Sequence, residues 1–200
     1  MGDIRRTGLW VKQMFGRRTL LKMVMGAGFA LSGRKLAAAR SKEPRKMRPQ
    51  ANDQFVFSQG DNVGEIIKPE DVPLGGPQVF AYPFEPVNKV VRDGSRFNKV
   101  MLVRFKPEEI SEATQPHSVD GIVAYSVVCT HAGCPVIMWI KETRTVKCPC
   151  HYSEYDPTNL ATVIAGPTPK RLPILPLKMV DGALLVAAKF IGKVGFKRNF

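Results

Sequence analysis

Two short stretches of the chain decide its fold. Residues 129–135 read CTHAGCP, and residues 148–156 read CPCHYSEYD. Together they hold all four cysteines and two of the three histidines of the 200-residue sequence. Each stretch offers one thiolate and one imidazole at close spacing, together with an additional cysteine. The sequence therefore predicts a metal site on which one Cys–His pair from each stretch converges.

Three kinds of site fit this composition. Structural zinc can use two cysteines and two histidines, but zinc modules usually place two to four residues between paired ligands, whereas one residue separates Cys129 from His131. A domain held by disulfides alone allows three pairings of four cysteines and leaves the two matching histidines without a role. A 2Fe-2S centre with two cysteines on one iron and two histidines on the other uses one cysteine and one histidine from each stretch, and it leaves one cysteine of each stretch free to pair with the other. We favour the iron-sulfur centre, because both stretches match it.

At these residues the chain resembles the Rieske iron-sulfur protein family. The resemblance implies a Rieske-type 2Fe-2S cofactor. It assigns Cys129 and Cys148 to the inner iron, and His131 and His151 to the outer, more exposed iron. No base, nucleophile or substrate-binding motif accompanies these residues, so no catalytic residue is assigned. The sequence favours an electron carrier over an enzyme that acts alone.

The resemblance also extends to the surroundings of the cluster. It implies a disulfide between Cys134 and Cys150, which suits an oxidising compartment. A proline-containing segment resembles the loop that covers the third side of the cluster in this family. That loop consists of Gly166, Pro167, Thr168 and Pro169.

Two hydroxyl groups after the second histidine are expected to tune the cluster. In high-potential members of the family, a serine two residues after this histidine bonds a bridging sulfide, and a tyrosine four residues after it bonds a ligand sulfur. Ser153 and Tyr155 occupy these positions. Hydrogen bonds to the sulfurs raise the reduction potential, so the pair predicts a high-potential cluster.

The rest of the domain is expected to be all-β. Residues 77–82, 99–105 and 122–128 are rich in β-branched or aromatic residues and are bounded by glycine or proline. Asp181-Gly182 indicates a tight hairpin, and residues 107–113 form the one helical candidate, with proline in the first turn. With the resemblance, these patterns predict a Rieske-type antiparallel β-sandwich. Its small cluster-binding subdomain of two loops lies at about 121–170, and a short helical loop accompanies it.

The net charge of +13 belongs mainly to the N-terminal quarter of the chain. Residues 1–50 carry a net charge of +11 and residues 51–200 only +2, which argues against nucleic acid as a partner of the domain.

Arg17 and Arg18 precede an apolar run of 11 residues, a pattern typical of a twin-arginine export signal. The run is far shorter than the ~20 residues that a membrane-spanning helix needs. The alternative is a basic amphipathic helix that lies on a membrane or binds RNA.

These features divide the chain into three parts. We expect a twin-arginine export signal at 1–39, a flexible mature N-terminus at 40–54 and the Rieske 2Fe-2S domain at 55–200. The expected location is the periplasm, with membrane contact that is at most peripheral or made through the N-terminal segment.

The partners are inferred from the resemblance. One candidate role is the small subunit of a molybdopterin oxidoreductase of the arsenite oxidase type, and the other is the Rieske subunit of a quinol–cytochrome c reductase, which works with cytochromes b and c1. Cytochrome c or a quinol is then the redox partner. A dioxygenase ferredoxin is a third choice, and a zinc-binding interaction module is the contrasting class.

Overall fold

The computed structural model describes residues 43–196, and within this range regular structure consists of eleven strands and five single-turn 3-10 helices. The strands are β1 (Gln54–Phe57), β2 (Val79–Glu85), β3 (Val90–Val91), β4 (Val100–Arg104), β5 (Ile122–Ser126), β6 (Met138–Ile140), β7 (Thr145–Lys147), β8 (Glu154–Asp156), β9 (Thr162–Ala165), β10 (Leu177–Val180) and β11 (Ala183–Val186). The 3-10 helices are Pro44–Lys46, Pro69–Asp71, Arg96–Asn98, Pro107–Glu109 and Gln115–His117. The expected export signal at 1–39, with Arg17 and Arg18, lies outside the described residues.

All pairings between these strands are antiparallel, which confirms the all-β class. Five strands form one sheet in the order β1-β2-β4-β5, with β3 paired to β2. A second sheet has the order β6-β7-β8-β9, and β10 pairs with β11. None of the helices between residues 43 and 196 has the length and apolar character needed to cross a membrane.

Strands β4 and β5 are buried on both faces and separate two hydrophobic cores. Alternate side chains, among them Met101 and Tyr125, enter one core together with Cys129, Cys148 and Tyr155. This "site core" supports the metal-site loops. The intervening side chains of both strands, among them Leu102 and Ala124, enter a second core, which we name the "base core". Because side chains alternate along a strand, the apolar runs predicted at 99–105 and 122–128 supply both cores at once.

The β10–β11 hairpin connects the two edges of the five-stranded sheet. Asp181 and Gly182 have φ angles of 50° and 76°, as a two-residue hairpin turn requires. On one side, the Val186 amide of β11 donates to the Asp53 carbonyl just before β1. On the other, the Leu175 amide, two residues before β10, donates to the Ala124 carbonyl of β5. The hairpin thus closes the sheet around the base core.

The helical candidate at 107–113 is shorter than the sequence suggests. The 3-10 turn ends at Glu109, whose carboxylate accepts the Lys106 amide. Ile110 is extended (φ −91°, ψ 129°) and only 3% exposed. Burial of the Ile110 side chain in the site core therefore competes with continuation of the helix.

Within the segment 40–54, which the sequence predicts to be flexible, the described residues 43–54 make long-range polar contacts. Asp53 forms a buried ion pair with Arg92, in which Nη2 lies 2.8 Å from Oδ1. The Asn98 side-chain amide donates to the Met47 carbonyl at 2.7 Å. The segment from residue 43 onward is therefore held against the sheet by long-range polar contacts that its Arg- and Pro-rich composition does not reveal.

Candidate metal centre

The two predicted loops share one backbone hydrogen-bond pattern. In the first, between β5 and β6, the Gly133 amide donates to the Cys129 carbonyl and the Cys129 amide donates to the carbonyl of Cys134. In the second, between β7 and β8, the Tyr152 amide donates to the Cys148 carbonyl, and the Cys148 amide donates to the carbonyl five residues further on. The two loops are therefore structural equivalents that present their cysteines alike.

Gly133 and Tyr152 occupy equivalent positions in these loops and share a left-handed backbone. Their φ angles are 78° and 57°. Glycine adopts this conformation without steric cost, whereas a tyrosine is uncommon there. The Tyr152 side chain is 63% exposed, so its unusual backbone is set by the loop and not by burial of the ring.

A disulfide joins the two loops. Cys134 and Cys150 are bonded to each other, with their Cα atoms 6.5 Å apart. This is the pairing that the resemblance implies. The Sγ of Cys148 lies within 4.8 Å of both disulfide sulfurs, so the bridge stands directly beside the predicted ligand.

The two remaining cysteines are free and buried. Cys129 is 2% exposed and Cys148 is 1% exposed. Burial raises the pKa of the Cys148 thiol, and the neighbouring Cys129 sulfur raises it further. Two thiolates this close and this buried require a compensating positive charge. A pair of ferric or ferrous ions supplies such charge, so the sulfurs fit a metal cluster.

The two histidines form the outer side of the site. Their rings are 4.6 Å apart, centroid to centroid, and almost perpendicular. His151 is exposed and His131 is partly buried. The Nδ1 atom of His131 is inaccessible to solvent and has no hydrogen-bond partner among the described residues. A buried imidazole nitrogen without a hydrogen-bond partner is suited to bind a metal. The cysteine sulfurs then lie on the inner side of the site, and the histidine nitrogens lie on the outer side.

Both predicted tuning residues lie at the site. Ser153 is 1% exposed, and its Oγ has no hydrogen-bond partner in the described part of the chain. The Tyr155 hydroxyl lies 3.2 Å from Cys129 Sγ. Burial, together with the neighbouring Cys129 sulfur, raises the pKa of Tyr155. A deprotonated, metal-bound Cys129 sulfur has no proton to give, so in that state the phenol would be the donor of this hydrogen bond.

The proline-containing loop, predicted to cover the cluster, lies against the two metal-site loops. A Cβ atom at Gly166 would collide with the backbone of Ser153, so this loop lies directly on the second metal-site loop. On the other side, Thr168 Oγ1 lies 2.6 Å from Thr130 Oγ1, and Thr130 donates to the Lys170 carbonyl at 2.6 Å. The covering loop is therefore hydrogen-bonded to the first metal-site loop and packs closely against the second.

Sequence reasoning missed contacts that fix the first loop from outside. Arg96 Nη1 donates to the Gly133 carbonyl at 2.9 Å. The Phe196 ring occupies the space that a Cβ atom at Gly133 would need. Both contacts join residues that are far apart in sequence, and no local pattern indicates them. Thr130 could have been found, since it lies between Cys129 and His131.

Comparison with known proteins assigns the same region. A family model described as the Rieske [2Fe-2S] domain matches residues 94–176. A cytochrome bc1 complex Rieske iron-sulfur subunit of Streptomyces lividans is 35% identical over 129 residues, which are 63% of this chain and 75% of the relative. A Haloferax mediterranei protein, provisionally named as the Rieske subunit of a respiratory nitrate reductase, is 41% identical over 106 residues, or 52% of this chain and 47% of the relative.

The matched segment is a smaller part of other relatives. It covers 36% of the cytochrome bc1 complex Rieske subunit of Streptomyces coelicolor, at 35% identity. Among solved structures, the cyanobacterial plasma membrane Rieske protein of Synechocystis PCC 6803 is 27% identical, with a TM-score of 0.35 over 55% of this chain and 86% of that one.

Proposed function

The chain belongs to the Rieske 2Fe-2S protein family, and we propose that it is the high-potential electron-transfer subunit of a larger respiratory oxidoreductase. When bound, a 2Fe-2S cluster accepts and releases one electron. The observation that carries the high-potential assignment is the pair of hydroxyl groups at the site. Tyr155 lies 3.2 Å from a buried ligand sulfur, and Ser153 is buried without a partner within residues 43–196.

The ligand assignment follows from the donor set. Cys129 and Cys148 would hold the inner iron through their thiolates, and His131 and His151 would hold the outer iron through ring nitrogens. The Cys134–Cys150 disulfide keeps the two loops together, and it removes these two sulfurs from the ligand set. Zinc is less well supported, because a single zinc ion leaves the paired Ser153 and Tyr155 hydroxyls unexplained.

The two hydroxyls favour the reduced state. A hydrogen bond to sulfur strengthens as the sulfur gains negative charge. With Cys129 bound to iron as a thiolate, the Tyr155 hydroxyl would donate a hydrogen bond to its sulfur and would therefore stabilise the additional electron. Ser153 has one proton to donate and no acceptor in the described residues, which supports an acceptor provided by the cluster itself.

We expect Tyr155→Phe and Ser153→Ala each to lower the midpoint potential while the cluster stays bound. A bond that favours the reduced state by ~1.4 kcal/mol corresponds to about 60 mV in a one-electron equilibrium. A redox titration followed by circular dichroism measures the shift. Tyr82→Phe, at a half-buried tyrosine of β2, is the matched control and should leave the potential unchanged. Wild-type potentials in both site variants would contradict the assignment.

Two kinds of complex fit this role. The named relatives in Streptomyces support a quinol–cytochrome c reductase. The arsenite oxidase type of molybdopterin enzyme is supported by the resemblance of residues 80–83, 122–128 and Glu154 to that group. Purification of the native complex with metal and haem analysis distinguishes them. Molybdenum in the complex identifies the arsenite oxidase type, and haems b and c identify a quinol–cytochrome c reductase.

Export by the twin-arginine route is also part of the proposal. The Arg17-Arg18 pair and the short apolar run after it support this route, and the disulfide suits an oxidising compartment. A fusion of residues 1–39 to a reporter that must fold before export tests it. Replacement of both arginines with lysine should abolish export of the reporter, and continued export would contradict the route.

A further inference from the structure

Two neighbouring cavities at the C-terminal end of the described chain are lined by basic side chains. The larger has a volume of about 650 Å³ and the smaller of about 260 Å³, and Gly192 and Lys193 line both. The five basic side chains that line the two cavities form what we name the basic groove. They are Arg48, Lys170, Arg171, Lys189 and Lys193.

The positive charge of the basic groove is not neutralised within residues 43–196. No aspartate or glutamate lines either cavity. None of its five side chains belongs to an ion pair of the described residues. Elsewhere in this range there are 13 basic and 16 acidic side chains, so the remaining surface is slightly acidic. The groove is therefore a localised positive patch on a nearly neutral domain.

The basic groove borders the outer side of the metal centre. Thr130 and His131 line the larger cavity together with Lys170, Arg171 and Lys193. His131 is a proposed ligand of the outer iron, so this is a place where a partner can come close to the cluster. Apolar side chains, including Leu172 and Ile191, also line this cavity, which suits a protein surface that is acidic around an apolar contact.

We propose that the basic groove is the docking surface for an acidic redox protein. This inference rests on the proposed electron-transfer function. Clustered charge of one sign accelerates the association of an oppositely charged partner and orients it. The concave shape and the position beside His131 favour a protein over a flat bilayer, because a lipid surface gains nothing from closeness to a redox centre.

The experiment uses two forms of one probe, a basic cytochrome c and the same cytochrome with its lysines succinylated, which makes it acidic. Binding to the cluster-loaded full chain is measured by microscale thermophoresis at low and high ionic strength. The acidic form should bind at low salt and be released at high salt, where the Debye length falls below about 8 Å. The basic form should not bind.

A charge-reversal pair identifies the surface. Lys170→Glu with Lys193→Glu should weaken binding of the acidic cytochrome by about tenfold or more. Lys89→Glu with Lys141→Glu, at exposed lysines outside both cavities, changes the net charge equally and should leave most of the affinity. The ten basic side chains of residues 1–42 are common to both variants, so their contribution cancels in the comparison.

Three results would overturn the docking surface. The first is an equal loss of affinity for the acidic cytochrome in the two charge-reversal variants. The second is tighter binding of the basic cytochrome than of the acidic one. The third is groove-dependent binding to phosphatidylglycerol–phosphatidylcholine vesicles without binding to the acidic cytochrome. An electron paramagnetic resonance spectrum of the reduced chain separates this outcome from failure of the proposed function. A Rieske spectrum without groove-dependent binding removes the docking surface alone, whereas absence of the spectrum removes the function.

Discussion

The Cys148→Ser variant is expected to purify without a 2Fe-2S cluster. The hydroxyl of the introduced serine is a poor iron ligand compared with a thiolate. Cys148 is 1% exposed, and the sequence has no fifth cysteine to replace the lost sulfur. The iron content should fall from two atoms per chain to near zero. The Rieske signal, with an average g below 2, should disappear from the electron paramagnetic resonance spectrum of the reduced protein.

The matched control for this loss is Ser153→Ala, which changes a neighbouring buried residue of the same loop. It should retain both iron atoms, because the Ser153 hydroxyl is proposed to tune the cluster and not to hold it. Full iron content in the Cys148→Ser variant would contradict the ligand assignment. Stoichiometric zinc in the wild-type chain would contradict the iron-sulfur assignment itself.

The Asp53→Asn variant should lose about 3–5 kcal/mol of unfolding free energy, as is typical when one partner of a buried ion pair is removed. The Arg92 side chain is 5% exposed and that of Asp53 is 1% exposed. Without the carboxylate, the buried guanidinium loses its hydrogen-bonded ion-pair partner. Urea denaturation of the cluster-loaded chain, followed by far-ultraviolet circular dichroism, measures the change.

An exposed ion pair of the same type serves as the comparison. Arg45 and Asp93 form a two-bond pair at 2.8 Å whose side chains are 60% and 33% exposed. Asp93→Asn should cost no more than ~1 kcal/mol, because solvent screens such pairs. Equal costs for the two variants would show that the N-terminal segment is not anchored through Asp53.

The sequence alone predicts those strands, turns and loops whose physical cause lies in a few consecutive residues. The β-branched residues of 99–105 and 122–128 and the Asp181-Gly182 turn predicted strands and a hairpin that the structure contains. The spacing of cysteine and histidine predicted two loops, and these are adjacent. In each case a short stretch contains the whole physical reason for the structure.

The remaining features depend on contacts between distant residues. Asp53 meets Arg92 across 39 positions, so a segment of flexible composition becomes ordered. The Phe196 ring lies over Gly133, and neither residue suggests the other. The left-handed backbone of Tyr152 was predictable in principle, because its loop repeats the spacing at which Gly133 follows Cys129.

Strands β4 and β5, which separate the two cores, link cofactor retention to the stability of the entire domain. Their side chains enter both the site core and the base core, so neither core can lose its packing without disturbing the other. A ligand that binds only the folded chain adds its binding free energy to that of folding. A cofactor bound at the metal centre would therefore be expected to stabilise β1 and the β10–β11 hairpin as well, because these elements pack in the base core against the same strands. Hydrogen exchange at the amides of these elements is expected to be slower in the cluster-loaded chain than in the chain without the cluster.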